Sequence, residues 1–489
     1  MFNDFKLVDG RPASVQVKDY IKELIYKGIL RADQKLPSTR EFASLWQLSR
    51  NTVMTAYREL EDEGLIHSVA GKGSYVAQEV VPAVDGARLE WKDMIGASAR
   101  TAEELDLMKH GVRWEKGMIS FTSIAPDEKL FDLDNVKRAF LDRMSLEGEI
   151  LLNYGYAKGY KPLIDYLMRY METKGVDLTG KDLLVTNGFT EGLDLVLSAV
   201  HKPHRRVLCE NPTHHTALKL FKMHGMEITG IPMQEDGLKL EELERALVRQ
   251  SFDLAYLIPS YHNPTGIVMS PEKRMEALRL FGDYRIPVIE DGFNEELRYS
   301  GSHVAPLIAC GGSGNNVVYI GSYSKVLFPG IRVGWVLADR ELIDYLESMK
   351  RARSIHTSTL DQAILFQYLH NGNFEKYIKR ARNAYKRKYE LAVQWCREHI
   401  PFARLSGYGG LHLFIELHES LAARDVLSAC VRQGVVFTPG DIFHTDGSGA
   451  NTFRLGFSRV SEGELEAGIA TIGQTVRKLM GEGGAGCRR

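Results

Sequence analysis

The chain has 489 residues, 44% hydrophobic and 26% charged, enough to bury large cores without disulfides or metals. Its 62 Lys and Arg nearly cancel its 63 Asp and Glu, a net charge of −1, which excludes coating nucleic acid by bulk charge but not a small local reading surface. Five scattered cysteines without a CxxC pair, an N-terminus unlike a signal peptide and no apolar run near the ~18 residues of a membrane span predict a cytoplasmic protein with no membrane segment and no metal.

At about 150 residues per domain the length predicts roughly three compact units. Residues 12–78 form the first. Val17, Ile21, Leu24 and Ile25 recur at helical spacing, and Lys27-Gly28 offers a stop. Pro37-Ser38 opens a second helix, Ser38-x-x-Glu41 fits a capping box, and Phe42 and Leu45 are its expected inward face. Ser49 caps a third helix with the core stripe Val53, Ala56, Tyr57 and Leu60. Two short strands follow, Leu65–Ser68 and Ser74–Ala77, with Gly71-Lys72-Gly73 turning between them. Three helices and a hairpin describe a winged helix-turn-helix. Residues 79–115 read as a linker with one short helix near Ala102–Lys109.

From about residue 116 strands alternate with amphipathic segments. The strand-like runs are Leu183–Thr186, Arg206–Glu210, Leu254–Pro259, Pro287–Glu290, Val317–Ile320 and Val333–Ala338, which predict an α/β fold with a mainly parallel sheet. From about residue 340 a charged helical stretch and strands near Leu411–Leu417 and Phe453–Phe457 predict a small C-terminal α+β lobe ending near 478. Residues 479–489 read as a flexible tail.

The third helix of the first unit begins Ser49-Arg50-Asn51-Thr52, pointing away from its core stripe. A recognition helix presents its first residues to base edges; Arg suits guanine, Asn suits adenine, and hydroxyls take phosphates. Arg40, on the preceding helix, can reach backbone or base, and Lys72, at the wing tip, a phosphate or the minor groove. Residues 1–78 carry 11 Lys and Arg against 10 Asp and Glu, so charge alone says little. The stretch LPSTREFASLWQLSRNTVMTAYRELEDEGLIHSVAGKGSYV closely resembles the DNA-binding domain of GntR-type bacterial transcription regulators. The resemblance implies operator binding, with Arg40, Arg50 and Gly73 at positions of DNA contact or wing geometry.

In the second unit, Ser322-Tyr323-Ser324-Lys325 is followed by Pro329-Gly330-x-Arg332-Val333-Gly334-Trp335. A lysine after a strand, flanked by hydroxyls and followed by an arginine, suits a cofactor with an aldehyde and a phosphate. The turn Asn187-Gly188-Phe189-Thr190, between a strand and a helix, offers backbone N–H groups to a phosphate. Asn263, in Asn263-Pro264-Thr265-Gly266, can bond a phenolic oxygen, and Asp291, at a strand end, can keep a pyridine nitrogen protonated.

Together, over about residues 117–478, these residues resemble fold-type I aminotransferases, which bind pyridoxal 5′-phosphate (PLP). The resemblance implies Lys325 as the Schiff-base lysine, Asp291 at the pyridine nitrogen and Asn263 at the ring oxygen. It places Ser322, Ser324, Arg332 and the backbone of Gly188, Phe189 and Thr190 at the phosphate. Tyr154 matches a tyrosine that reaches the partner subunit's phosphate, and Arg454 the arginine that clamps an amino-acid carboxylate. Two positions depart from the pattern: Phe293 stands where a ring-bonding tyrosine is common, and His214 where an aromatic ring stacks on the cofactor. Both leave PLP binding expected and put efficient transamination in doubt.

A GntR-type reader fused to an aminotransferase-like domain resembles the MocR subgroup of GntR regulators. The resemblance implies a homodimer that senses PLP and an amino acid or amine effector and binds double-stranded operator DNA. A working aminotransferase carrying a DNA-binding domain is the alternative.

Overall fold

The computed structural model describes all residues except 1, 3, 4, 79–88, 113, 114, 293, 294 and 486–489. Its contacts fall into two units, Met1–Met94 and Ile95–Arg489.

In the first unit, α1 (Ala13–Tyr26), α2 (Thr39–Leu45) and α3 (Arg50–Asp62) precede an antiparallel hairpin of β1 (Ile66–Val69) and β2 (Gly73–Val76). Ser38 and Glu41 cap α2 reciprocally: Glu41 N–H donates to Ser38 Oγ at 3.3 Å and Ser38 N–H to Glu41 Oε2 at 2.6 Å. The core joins Val17, Ile21 and Ile25 to Phe42, Val53, Ala56 and Leu60. Leu45 is not part of it; it is 49% exposed. A seven-residue helix offers little more than one i,i+4 ridge, and here that ridge is Phe42 with Trp46, stacked at 4.1 Å. Phe2 and Phe5 pack on this pair, and Trp46 Nε1 donates to the Phe2 carbonyl at 2.8 Å.

Phe42 is fully buried, so Phe42→Ala is expected to cost ~3–5 kcal/mol. A unit this small holds little more than that. Calorimetry of the variant should lose the transition of the N-terminal unit and keep that of the larger one.

The second unit is built on an eight-stranded sheet. Its strands follow β3 (Ile119–Ser120) and are β4 (Lys181–Thr186), β5 (Arg206–Asn211), β6 (Glu227–Gln234), β7 (Gly237–Leu238), β8 (Leu254–Leu257), β9 (Val288–Asp291), β10 (Val317–Ser322) and β11 (Gly334–Asp339). The spatial order is β4-β11-β10-β9-β8-β5-β6-β7. Only β7 and β11 run against the rest. The carboxyl ends of β4, β5, β8, β9 and β10 therefore share one edge, where ligands bind in open α/β sheets. The reversal of β11 returns its first residues to that edge: Gly334 lies opposite both Thr186 and Ser322. β6 is not legible in the sequence because Gly230 and Pro232 read as breakers; Gly230 is small because a Cβ there would meet the Thr445 hydroxyl at 2.2 Å.

A four-stranded antiparallel sheet, containing His412–Glu416 and Thr452–Gly456, and the packed helices Asn373–His399 and Glu462–Ala485 form the smaller lobe. The helix Arg340–Ser354, where the smaller lobe is expected to begin, packs on β4 and β11, and its Ile343 and Leu346 are buried. The segment expected as a linker holds three short helices, Trp91–Met94, Ala97–Glu104 and Leu107–His110, in place of one at Ala102–Lys109. Asp106 makes the break: its side chain accepts from Met108 N–H at 3.0 Å and starts a new turn. The stripe Leu465, Ile469, Ile472, Val476 and Leu479 carries the last helix to Ala485; only residues 486–489 of the expected tail lie outside the described residues.

Candidate functional site

In the N-terminal unit, Arg40, Ser49, Arg50, Asn51, Lys72 and Gly73 are exposed and Thr52 is half-buried. Ser49 Oγ accepts from Thr52 N–H at 3.1 Å and lies 2.8 Å from Thr52 Oγ1, so both hydroxyls serve the cap of α3. That leaves Arg50 and Asn51 projecting from the first turn. Gly73 has φ +109°, and a Cβ there would meet the Lys35 side chain at 3.1 Å, so its part is the shape of the wing. The charge balance is uneven in space. Lys18 and Lys22 pair with Glu59 and Glu63 on the α1–α3 face, whereas Arg40, Arg50 and Lys72 have no ion pair among the described residues. A near-neutral unit thus leaves Arg40, Arg50 and Lys72 exposed and outside its ion pairs among the described residues.

The larger unit gathers most of the remaining candidates at the carboxyl edge of its sheet. Gly188, φ +79°, caps the helix Phe189–Ala199 and lies against Arg332; a Cβ there would meet Arg332 Nη2 at 2.6 Å. Arg332, itself left-handed at φ +52°, donates through Nη2 to the Asn187 carbonyl at 3.2 Å and through Nη1 to Ser324 Oγ at 3.4 Å. Ser322 Oγ donates to Ser324 Oγ at 3.0 Å. The exposed helix start at Thr190, the two hydroxyls and the guanidinium make a cradle for a dianion. Gly188→Ala should weaken retention of a phosphorylated ligand at least about tenfold, because the new methyl displaces Arg332 and φ > 0 strains alanine. Equilibrium dialysis would check it.

Asp291 closes β9, 5% exposed. It accepts from the buried Tyr256 hydroxyl at 2.7 Å, and His214 Nδ1 is 3.9 Å from the same carboxylate. Burial pushes its carboxyl up to about 7, against the pull of Tyr256; Glu295 adds to the rise and Lys325 opposes it. A carboxyl poised there can share a proton with a ring nitrogen. Burial and the nearby cations hold His214 neutral, and its ring lies 5.9 Å from that of Phe189. Lys325 is half-buried, and burial with the charges of Arg454, Arg332 and Arg459 brings its amine down to about 8. Such an amine supplies a nucleophilic neutral form near pH 7.

Arg454 is 4% exposed, on the strand Thr452–Gly456. Its Nη1 donates to Asn263 Oδ1 at 2.8 Å, its Nη2 to the Thr122 carbonyl at 3.3 Å, and it lies 4.9 Å from the Phe443 ring centre. Arg454 Nε and Asn263 Nδ2 are buried without a hydrogen-bond partner among the described residues. Two unmatched donors on one wall fit a carboxylate and a phenolic oxygen, the groups that an amino acid and PLP bring. The donor set therefore fits the cofactor. Tyr154 is not brought to this cluster: it is 80% exposed, and its ring partner is His356 at 6.1 Å. Phe293 lies outside the described residues. Tyr256 is the functional candidate that reasoning from sequence missed; inside the apolar run of β8 it reads as core, and only its hydroxyl's reach across to β9 marks it.

Residues 118–472 match the model for aminotransferase class I and II, and residues 13–76 that for bacterial regulatory proteins of the gntR family. The chain belongs to the aminotransferase class I and II family. With the GntR domain in front, this family member has the MocR-type architecture. It is 28% identical over 476 residues to the HTH-type transcriptional regulator YisV of Bacillus subtilis, covering 96% of this chain and 97% of the relative. Among solved structures it resembles the multiple substrate aminotransferase of Thermococcus profundus, with a TM-score of 0.76 and 27% identity, covering 81% of this chain and all of that one. It also resembles LysN, the alpha-aminoadipate aminotransferase of Thermus thermophilus, solved with N-(5′-phosphopyridoxyl)-L-leucine, with a TM-score of 0.73 and 27% identity, covering 80% and 100%. The aminotransferase-like unit of this family is PLP-dependent, so the cofactor assigned to the chain is PLP.

Proposed function

We propose that this chain is a cytoplasmic, homodimeric transcription regulator whose aminotransferase-like unit senses PLP and an amino acid or amine, and thereby sets operator binding by the winged helices. The observation that carries the reading is the coexistence, on one chain, of an exposed recognition turn and a cluster with cofactor chemistry in which Asp291, Asn263 and Arg454 are buried. Lys325 would hold the aldehyde end, Asp291 the ring nitrogen, Asn263 the ring oxygen, and Ser322, Ser324, Arg332 and the Gly188–Thr190 turn the phosphate. His214 would pack beside the ring. PLP supplies an electrophilic aldehyde that an amine ligand can compete for against Lys325, and an electron-withdrawing ring. Arg454 orients a ligand carboxylate through Nε.

The dimer is supported by an exposed apolar face. Leu141, Leu146, Ile150, Leu152, Tyr154 and Tyr156 are each 61–82% exposed along the helix Leu133–Leu151 and the loop after it. Such an exposed apolar face supports an interface between two copies, and the exposure of Tyr154 on it fits a role at a neighbouring subunit's phosphate. No described helix is long and apolar enough to cross a membrane.

The test is operator affinity by fluorescence anisotropy for protein without PLP, with PLP, and with PLP plus a panel of amino acids and amines. Ligand-dependent affinity supports the reading; equal affinity in all states sinks it. The complete Lys325, Asp291, Asn263 and Arg454 set also favours a second reading, a working aminotransferase. Conversion of an amino acid in a single turnover, followed by turnover with a 2-oxo acid, would establish that one.

A further inference from the structure

One buried cation takes no part in the site described above. Lys350, on the helix Arg340–Ser354, is 0% exposed. Its Nζ donates to two backbone carbonyls, Ala157 at 2.9 Å and Val185 at 2.6 Å. No carboxylate among the described residues bonds it; Glu191 and Glu347 act on it only through space, and burial brings the amine down to about 8. An apolar side chain of that size would fill the same space without the cost of desolvating an amine. What the amine adds is the pair of bonds.

Those bonds join two segments that the cofactor site needs. Val185 is the next-to-last residue of β4. After it come Thr186, whose carbonyl accepts from Gly188 N–H at 2.8 Å, and the turn that Arg332 holds through Asn187. Ala157, itself buried, is three residues after the exposed Tyr154. The two segments touch a second time where Val185 N–H donates to the Lys158 carbonyl at 2.9 Å. They are also packed too closely for a side chain at Gly159: a Cβ there would meet Val185 at 2.6 Å and Gln362 Oε1 at 2.9 Å. Gln362 in turn accepts from Tyr160 N–H at 2.7 Å and fixes the loop's far end.

We propose that Lys350 is a positioning residue: its amine clamps the phosphate turn of its own cofactor site to the loop that presents Tyr154 to the neighbouring subunit. This deepens the proposed function and rests on it, since it takes both the PLP site and the dimer as given. Loosening the clamp shifts the turn and the loop together, so phosphate grip and subunit association weaken in one step.

The test uses the full chain with Lys350→Met, which keeps the apolar stem and removes the donors. Affinities for PLP and for pyridoxal, which lacks the phosphate, are measured together with the dimer dissociation constant by sedimentation. The expected result is a PLP-to-pyridoxal affinity ratio lowered about tenfold or more, with a weaker dimer and a retained visible band at saturating PLP. Lys350→Gln, which keeps an N–H donor, should restore part of the ratio. It also serves as the test variant if Lys350→Met does not fold. A role confined to stability would lower the melting temperature and leave the ratio unchanged; that result, or failure of both variants to fold, overturns the proposal. A wild-type chain that binds neither PLP nor pyridoxal would instead overturn the cofactor reading, and this proposal with it.

Discussion

A Lys325→Ala chain is expected to show no long-wavelength absorption band with PLP, and to lose operator response to amino acids and amines. Lys325 is the amine that follows β10 into the cluster, and the cations around it make the neutral, nucleophilic form accessible. The cradle of Gly188, Ser322, Ser324 and Arg332 is untouched by the substitution, so PLP should still bind, but noncovalently and roughly a hundredfold or more weakly. The pH dependence of capture by the wild-type chain provides a second check. Because the amine sits at about 8 and not at its ordinary value, the rate of band formation should rise about tenfold per pH unit below 8 and level off above it. The sign follows from the chemistry: only the deprotonated amine attacks, and raising pH through the amine's own value fills that form. A profile still climbing steeply at about pH 10, near the ordinary lysine value, would mean that Lys325 is not held in the cationic, desolvated setting described.

Arg50→Ala and Asn51→Ala should each weaken specific operator binding by ~1–3 kcal/mol per half-site. In a dimer both half-sites lose the contact, which makes the loss roughly thirtyfold to over ten-thousandfold. Base preference should relax at the positions read, while nonspecific binding changes far less. Lys72→Ala, at the wing tip, should instead lower affinity evenly across sequences and reduce its salt dependence by about one phosphate contact. Anisotropy titrations on operator variants at several salt concentrations separate these outcomes. Equal losses on all sequences for Arg50→Ala would make it a phosphate contact and not a reader. The Ser49–Thr52 cap sharpens the expectation: with both hydroxyls engaged at the helix start, Arg50 and Asn51 have side chains left for bases.

Much of this was legible in the residue order. A winged helix is a local fold: its capping box, its stripe of Val53, Ala56, Tyr57 and Leu60, and its Gly71–Gly73 turn are set by near neighbours. The sheet strands are apolar runs, and Lys325, Asp291, Asn263 and Gly188 each sit at the end or turn of such a run, where chemistry-bearing residues stand out. Boundaries were less legible. The helix Arg340–Ser354 packs on both β11, which it directly follows, and β4, far upstream, a contact that spacing along the chain does not announce. The last helix outruns its expected end because Val476 and Leu479 extend a stripe into what looked like a polar tail.

The sequence by itself determined that a GntR-type reader and a PLP-dependent unit share one chain, and it named candidates for the chemistry, because motif identity and local periodicity are short-range properties. Tertiary structure alone decided what those residues do to one another. It set Arg454 against Asn263, drew the Tyr256 hydroxyl to Asp291, brought Arg332 to the Asn187 carbonyl, and buried the Lys350 amine between two carbonyls from distant segments. It also paired Lys18 and Lys22 with Glu59 and Glu63, which a net charge cannot show. Hydrogen bonding, desolvation and charge pairing depend on which surfaces meet, and residues far apart along the chain meet only when it has folded.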